Sequence, residues 1–437
     1  MKKILVMMIA AIGTMTMALA GTAVWKSNAG GDITEPTNWV GDAVPVAGDT
    51  LDFSAITSTG KELTGTFSDD RIFAGATFAL SGNNSVSLSG SLHFQNLTNA
   101  SQLAIAAGGS LTVEGNLVWQ RSTAKSESNI GRLLQSNAGT VMVKGIARCN
   151  STGANCTGCY QTRSASTAPL RVGGLDYYAG GYTIGFYLPS YGSTSGRAAS
   201  KWIVGSDGMA FSAGGSSSDA KNCYVVAGAD STLSSQADWA IGTSGNNNSI
   251  ADIYIDGKRL TVDTKDYDDN AVSRTVTLDG RIYAPSTSGT SLSITGNGTF
   301  KVATSVTSGK LKYTCISNTV AVADTATLQL DEGASYQIAN VSLAAGTTLA
   351  LPASTTTPVE RTLPSLTLPA DGTAAIRIDG PALGYGEYDL LSSVPEGYEE
   401  HLSVEGSALG GKSGRLASVG GKLKLRIVKP GLIISFH

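Results

Sequence analysis

One short phrase recurs along this 437-residue chain and limits what it can fold into: a Gly or Ala, followed by alternating polar and apolar residues. It reads Gly109-Ser110-Leu111-Thr112-Val113, Gly298-Thr299-Phe300-Lys301-Val302 and Gly309-Lys310-Leu311-Lys312-Tyr313. It returns as Ala326-Thr327-Leu328-Gln329-Leu330, Gly346-Thr347-Thr348-Leu349 and Gly421-Lys422-Leu423-Lys424-Leu425. A period of two puts every second side chain on one face, the pattern of a strand buried on one side. Gly ahead of the strand supplies the turn, since it reaches positive φ without steric cost. Beyond the N-terminal segment no stretch sustains a helical period, so folds that need crossover helices are excluded. Sandwich, barrel and solenoid remain. The phrases around Phe300, Leu311, Leu328 and Leu349 are unevenly spaced, which argues against a propeller or a strict hexapeptide repeat. A parallel β-helix accommodates loops of varying length between coils. The chain is therefore expected to be all-β, a right-handed parallel β-helix (β-solenoid) with caps at both ends. An antiparallel β-sandwich is the alternative.

The ends differ in composition from the middle. Lys2 and Lys3, an apolar run over 4–17 and the small-x-small triplet Ala18-Leu19-Ala20 form a secretory signal peptide over 1–20. Gly13, Thr14 and Thr16 interrupt that run, and no second apolar run of span length follows. Gly21, rather than Cys, follows the triplet, so a lipoprotein anchor is not indicated. The mature chain is expected to be exported, to the cell surface or beyond. Residues 21–69, with Trp25, Asn38-Trp39, Pro45 and Asp49-Thr50-Leu51-Asp52-Phe53, suit a cap over the first strand edge, which would otherwise offer unpaired backbone groups. The solenoid is expected over 70–373. From 374 to 437 a C-terminal β cap is expected, with Tyr385, Tyr388, Tyr398 and an amphipathic strand at 422–428.

Only 15% of residues are charged and the net charge is −3, far from the basic surface that a nucleic-acid binder needs. Five cysteines are present: Cys149, Cys156, Cys159, Cys223 and Cys315. In an exported chain disulfides are the default, with Cys149, Cys156, Cys159 and Cys223 the candidates and the odd count leaving one over. Zinc would need a second paired spacing beside Cys156-x-x-Cys159, which is missing.

Reactive residues are sparse. The three histidines, His93, His401 and His437, lie far apart. Asp263, Asp266, Asp268 and Asp269 form the densest carboxylate cluster, and such an oxygen-rich loop suits a structural Ca²⁺, the one cofactor expected, against a plain solvated turn. An aromatic concentration, Tyr177, Tyr178, Tyr182, Tyr187 and Tyr191 close to Arg171, is the candidate contact surface for glycans or other proteins. Exposed tyrosines cover sugar faces while keeping a polar contact. Packing between wide coils is the alternative for these rings.

The entry Trp25…Asn38-Trp39…Pro45…Asp49-x-x-Asp52-Phe53 resembles the start of secreted bacterial proteins with autotransporter-associated β-strand repeats. The run Gly296-Asn297-Gly298-Thr299-Phe300-Lys301-Val302 through Gly309-Lys310-Leu311 resembles one copy of that repeat. Gly386-Glu387-Tyr388-Asp389-Leu390-Leu391 and Gly421 to Leu425 resemble the tail of such chains. The resemblance implies a right-handed parallel β-helix outside the cell, often a passenger or surface protein. A translocator would add about 250 residues of ~10-residue amphipathic strands, which the sequence after the tail does not supply. The leading expectation is a non-enzymatic surface scaffold, adhesin-like. The alternative is a polysaccharide hydrolase or lyase using Asp266, Asp268 and Asp269.

Overall fold

The computed structural model describes residues 21–429 except for short stretches, chiefly 96–102, 122–130, 152–157, 164–169, 180–185, 189–199, 214–222, 243–250, 284–289 and 304–318. Each coil supplies up to three strands, and each strand pairs in parallel with its counterpart one coil on. A 22-stranded parallel sheet forms two faces, while a four-stranded and then a six-stranded parallel sheet follow one another along the third. The result is a β-solenoid of about 9 turns. The antiparallel sandwich is excluded: every ladder from Thr22–Val24 to Leu402–Glu405 is parallel, apart from the three-stranded sheet at the C-terminal end.

The alternating phrases are the rungs. Ser110–Val113, Thr299–Val302 and Thr327–Leu330 are strands, and in the first two alternate residues are buried. The Gly309 phrase lies outside the described residues. Parallel pairing stacks like on like, so the interior reads as columns. Leu63, Leu88, Val113, Val143, Val172 and Val204 follow one another down one face, all buried. Val276, Phe300, Leu328, Leu349 and Ile376 form another column. Each such side chain contributes about 1.5–3 kcal/mol of burial.

One corner shows why sequence spacing can be uneven and the fold still regular. Gly65, Gly90, Gly115, Gly145, Gly173 and Gly205 stack there, coil upon coil. A Cβ on Gly115 would sit 2.9 Å from Gly90 O, one on Gly145 2.7 Å from Gly115 O, and one on Gly173 2.8 Å from Gly145 O. No side chain fits between backbones that close. This column is a repeat signal that reading phrase by phrase had missed. It ends at Gly205, and two coils further on the corner opens into a hairpin.

The two ends are closed differently. At the N-terminal end residues 24–26 meet 38–40 in an antiparallel bridge, with Val40 N–H donating to Val24 O at 2.8 Å and Lys26 N–H to Asn38 O at 2.9 Å. That bridge occupies the edge of the first strand, Thr22–Val24. Trp25 and Trp39 pack edge-to-face with centroids 5.1 Å apart, and both rings are buried. Phe53 and Phe78 continue the aromatic stack inward at 5.0 Å. Each indole N–H is satisfied by a carbonyl, Trp25 by Ala29 at 3.0 Å and Trp39 by Ile33 at 2.9 Å. At the other end Gly386–Leu391, Lys422–Ile427 and Gly414–Val419 form an antiparallel sheet. Leu423, Leu425 and Ile427 are buried, while Lys422, Lys424 and Arg426 pair with Glu360, Asp389 and Glu387 on the other face.

Candidate functional site

Two coils beyond the glycine column the chain fails to turn tightly at this corner. Strand Arg259–Asp266 overruns its corner and returns as a small antiparallel hairpin. Lys265 faces Ser273 across it, Asp266 N–H donates to Val272 O at 2.8 Å, and Arg274 N–H to Thr264 O at 2.7 Å. The hairpin springs from the solenoid through Thr264, which is buried; its hydroxyl donates to Thr295 O at 2.7 Å and accepts from Gly298 N–H at 3.0 Å.

Asp266 organises the turn. One carboxylate oxygen accepts from the N–H groups of Asp268 at 2.8 Å and Asp269 at 3.0 Å, and the other from Arg274 Nε at 2.7 Å. Burial pushes this carboxyl upward, but Arg274 and the two N–H donors outweigh it and hold its pKa below the usual value. Asp268 reaches back over the outer face to Arg171, 97 residues earlier, in a two-pronged pair at 3.0 and 2.5 Å. The carboxylate raises the Arg171 pKa. Arg171 also lies 4.7 Å from the Tyr267 ring centre, and Lys201 Nζ lies 4.6 Å from it. Burial lowers the Lys201 pKa despite the nearby Asp263. Ile203 and Ser234, in register between Arg171 and Asp263 on the outward side, are fully buried, so the hairpin lies over them.

The four aspartates are thus divided. Asp266 serves Arg274 and the turn, Asp268 serves Arg171, and Asp269 accepts from Ala271 N–H at 3.0 Å. Asp263 is buried and accepts from Lys265 N–H at 3.3 Å. Among the described residues no group of three or more His, Cys, Asp or Glu is placed to hold a metal ion. Tyr177 and Tyr178 lie on strand Leu170–Ala179 and Tyr187 on Phe186–Leu188; their side chains, with Tyr182 and Tyr191, fall outside what is described. Cys149, Cys159 and Cys223 lie on strands Thr140–Ser151, Gly158–Arg163 and Cys223–Ala227, their side chains likewise outside, as is Cys156. Sequence reasoning noted Arg171 but missed Lys201, Tyr267 and Arg274 as its companions. Their only signal was outward position on neighbouring coils.

Comparison with known proteins returned no matching family model, no matching curated protein and no matching solved structure. Among the described residues no helix is long and apolar enough to cross a membrane. The likeness to passenger proteins therefore rests on the β-solenoid itself.

Proposed function

We propose that the chain is a non-enzymatic, exported scaffold akin to the passengers with autotransporter-associated β-strand repeats, adhesin-like, holding a stiff outer face toward glycans or surface proteins. The observation that carries this reading is the 22-stranded parallel sheet, whose interior is filled by aliphatic columns and whose ends are both closed. Such an object contributes shape and rigidity, and recognition falls to what projects from it. The hairpin at 264–274 stands on the outer face, folded over it, with the Tyr267 ring between Arg171 and the Lys201 ammonium, and the tyrosine-rich stretch 177–191 follows Arg171 in the chain. Aromatic faces flanked by hydrogen-bond donors suit sugars. The carboxylates that an enzyme would need are engaged with guanidinium groups and turn N–H donors. Fractionating cells and medium, then screening immobilised glycans with and without Ca²⁺, tests the reading. Surface or medium location with glycan capture weakened in Tyr267→Ala is expected. Retention inside the cell, or release of shortened oligosaccharides from a polysaccharide, would overturn it.

A further inference from the structure

Asp49 is a carboxylate 9% exposed, on which no cationic side chain sits among the described residues. Its Oδ2 accepts from Val46 N–H at 2.9 Å, and its Oδ1 accepts from the backbone nitrogen of Gly21 at 2.8 Å. Gly21 is held from its other side as well, its carbonyl accepting from Thr50 N–H at 2.8 Å, and the first ladder strand begins one residue later. A charge buried with only neutral donors is costly, and a matched cation relieves that cost. The sequence offers one at this atom. Gly21 follows Ala18-Leu19-Ala20, the small-x-small pattern after which signal peptides are cut.

We propose that cleavage between Ala20 and Gly21 creates an α-ammonium group that seats on Asp49 and locks the N-terminal cap. Water is the co-reactant: the peptide bond hydrolyses, Ala20 leaves as a carboxylate, and the freed Gly21 amine takes up the proton. The neutral N–H donor at 2.8 Å becomes a charged one without moving. Charge-assisted bonds of this kind are roughly twice as strong as neutral ones. The lock sits beside the bridge over the first strand edge, so maturation would finish that end of the solenoid only after the leader is gone. The inference rests on the export reading for its cleavage, but the lock itself is tested apart from it.

Other charged groups of this cap are engaged elsewhere. Arg71 donates to Pro45 O at 3.0 Å, Asp52 accepts from Ser54 N–H at 2.9 Å, and Lys26 pairs with Asp42. A free α-amine titrates near 7.7–8.0 in an unfolded chain, roughly, and a carboxylate partner raises that in the folded state. The added stability is therefore full at about pH 6–7, where the carboxylate is ionised and the amine protonated, is lost as pH rises through the folded amine value, and is lost again in acid as the carboxylate protonates.

The test compares the chain beginning at Gly21 with the same chain extended by Ala20, each with Asp49 and with Asp49→Asn. At about pH 6 the Gly21 chain is expected to melt several degrees above the extended one. Asp49→Asn should remove that difference, as should pH above about 10. Equal melting of the two chains, or a difference that survives Asp49→Asn, overturns the lock. N-terminal sequencing of the exported protein tests the cleavage separately: a start at Gly21 supports the proposal, and any other start, or no export, overturns the processing step.

Discussion

The two ends of this solenoid solve one problem by opposite physics. The N-terminal end hides its strand edge beneath buried tryptophans and a single antiparallel bridge. The C-terminal end adds a whole antiparallel sheet, apolar inside and laced with ion pairs outside, and anchors it with one buried arginine. Arg361, 3% exposed, donates to the carbonyls of Leu330 at 3.1 Å, Pro352 at 2.6 Å and Val359. Aromatic burial is not weakened by charge screening, whereas exposed ion pairs weaken as salt rises. The comparison teaches that capping requires only that backbone groups find partners; the side chains that enforce it are free to differ.

The comparison breaks most sharply at Trp39. Replacing it with Ala is expected to cost about 3–5 kcal/mol in urea unfolding and to expose the first strand edge, with light scattering rising alongside. Arg361→Met attacks the other end by stranding three carbonyls, and about 3 kcal/mol is expected from that loss. Burial has pushed the Tyr336 hydroxyl up to about 12, and Arg361 holds it from rising further. The Arg361→Met variant should therefore titrate that tyrosine still higher by ultraviolet absorbance, and an unchanged titration would refute the coupling.

The ion pairs should matter least. Lys422→Ala is expected to lower the melting temperature slightly at low salt and not at all in molar salt, while wild-type Trp39 packing is weakened by neither. Lys422 and Lys424 hold the Asp389 pKa below its ordinary 3.8. Their stabilisation is present above that value and disappears as pH falls through the lower folded one. Glu360 and Asp389 raise the Lys422 pKa above 10.5, so its share persists below that value and is lost as pH climbs past it. A melting curve flat between about pH 5 and 9, sagging at both extremes in wild type and less in Lys422→Ala, would sharpen the contrast.

Much of the fold was legible because alternation has a local cause. Leu111 and Val113, or Leu328 and Leu330, announce a one-sided strand without any neighbour. The absence of a helical period excluded α/β folds for the same reason. What was hidden is non-local. Arg171 and Asp268 meet across three coils, and nothing in either residue's neighbourhood sets that register. The glycine column escaped notice because its members are 25 to 32 residues apart, a spacing that follows variable loops and not a fixed period. The aspartate cluster was visible as composition, but its pairing with Arg171 and Arg274 was not, because composition does not say which cation a carboxylate meets.

Coil length varies while the ladders do not: Val322 pairs with Leu343, 21 residues on, and Val172 with Val204, 32 residues on. Pulled from its two ends, such a molecule would yield as a stack of unequal links. Those two coils would release roughly 70 and 110 Å of chain, taking about 3.5 Å per residue. The steps in a force trace would then read out the loop lengths in order, like the notches of a key, and the clasp between Arg171 and Asp268 would appear as neighbouring steps fused into one.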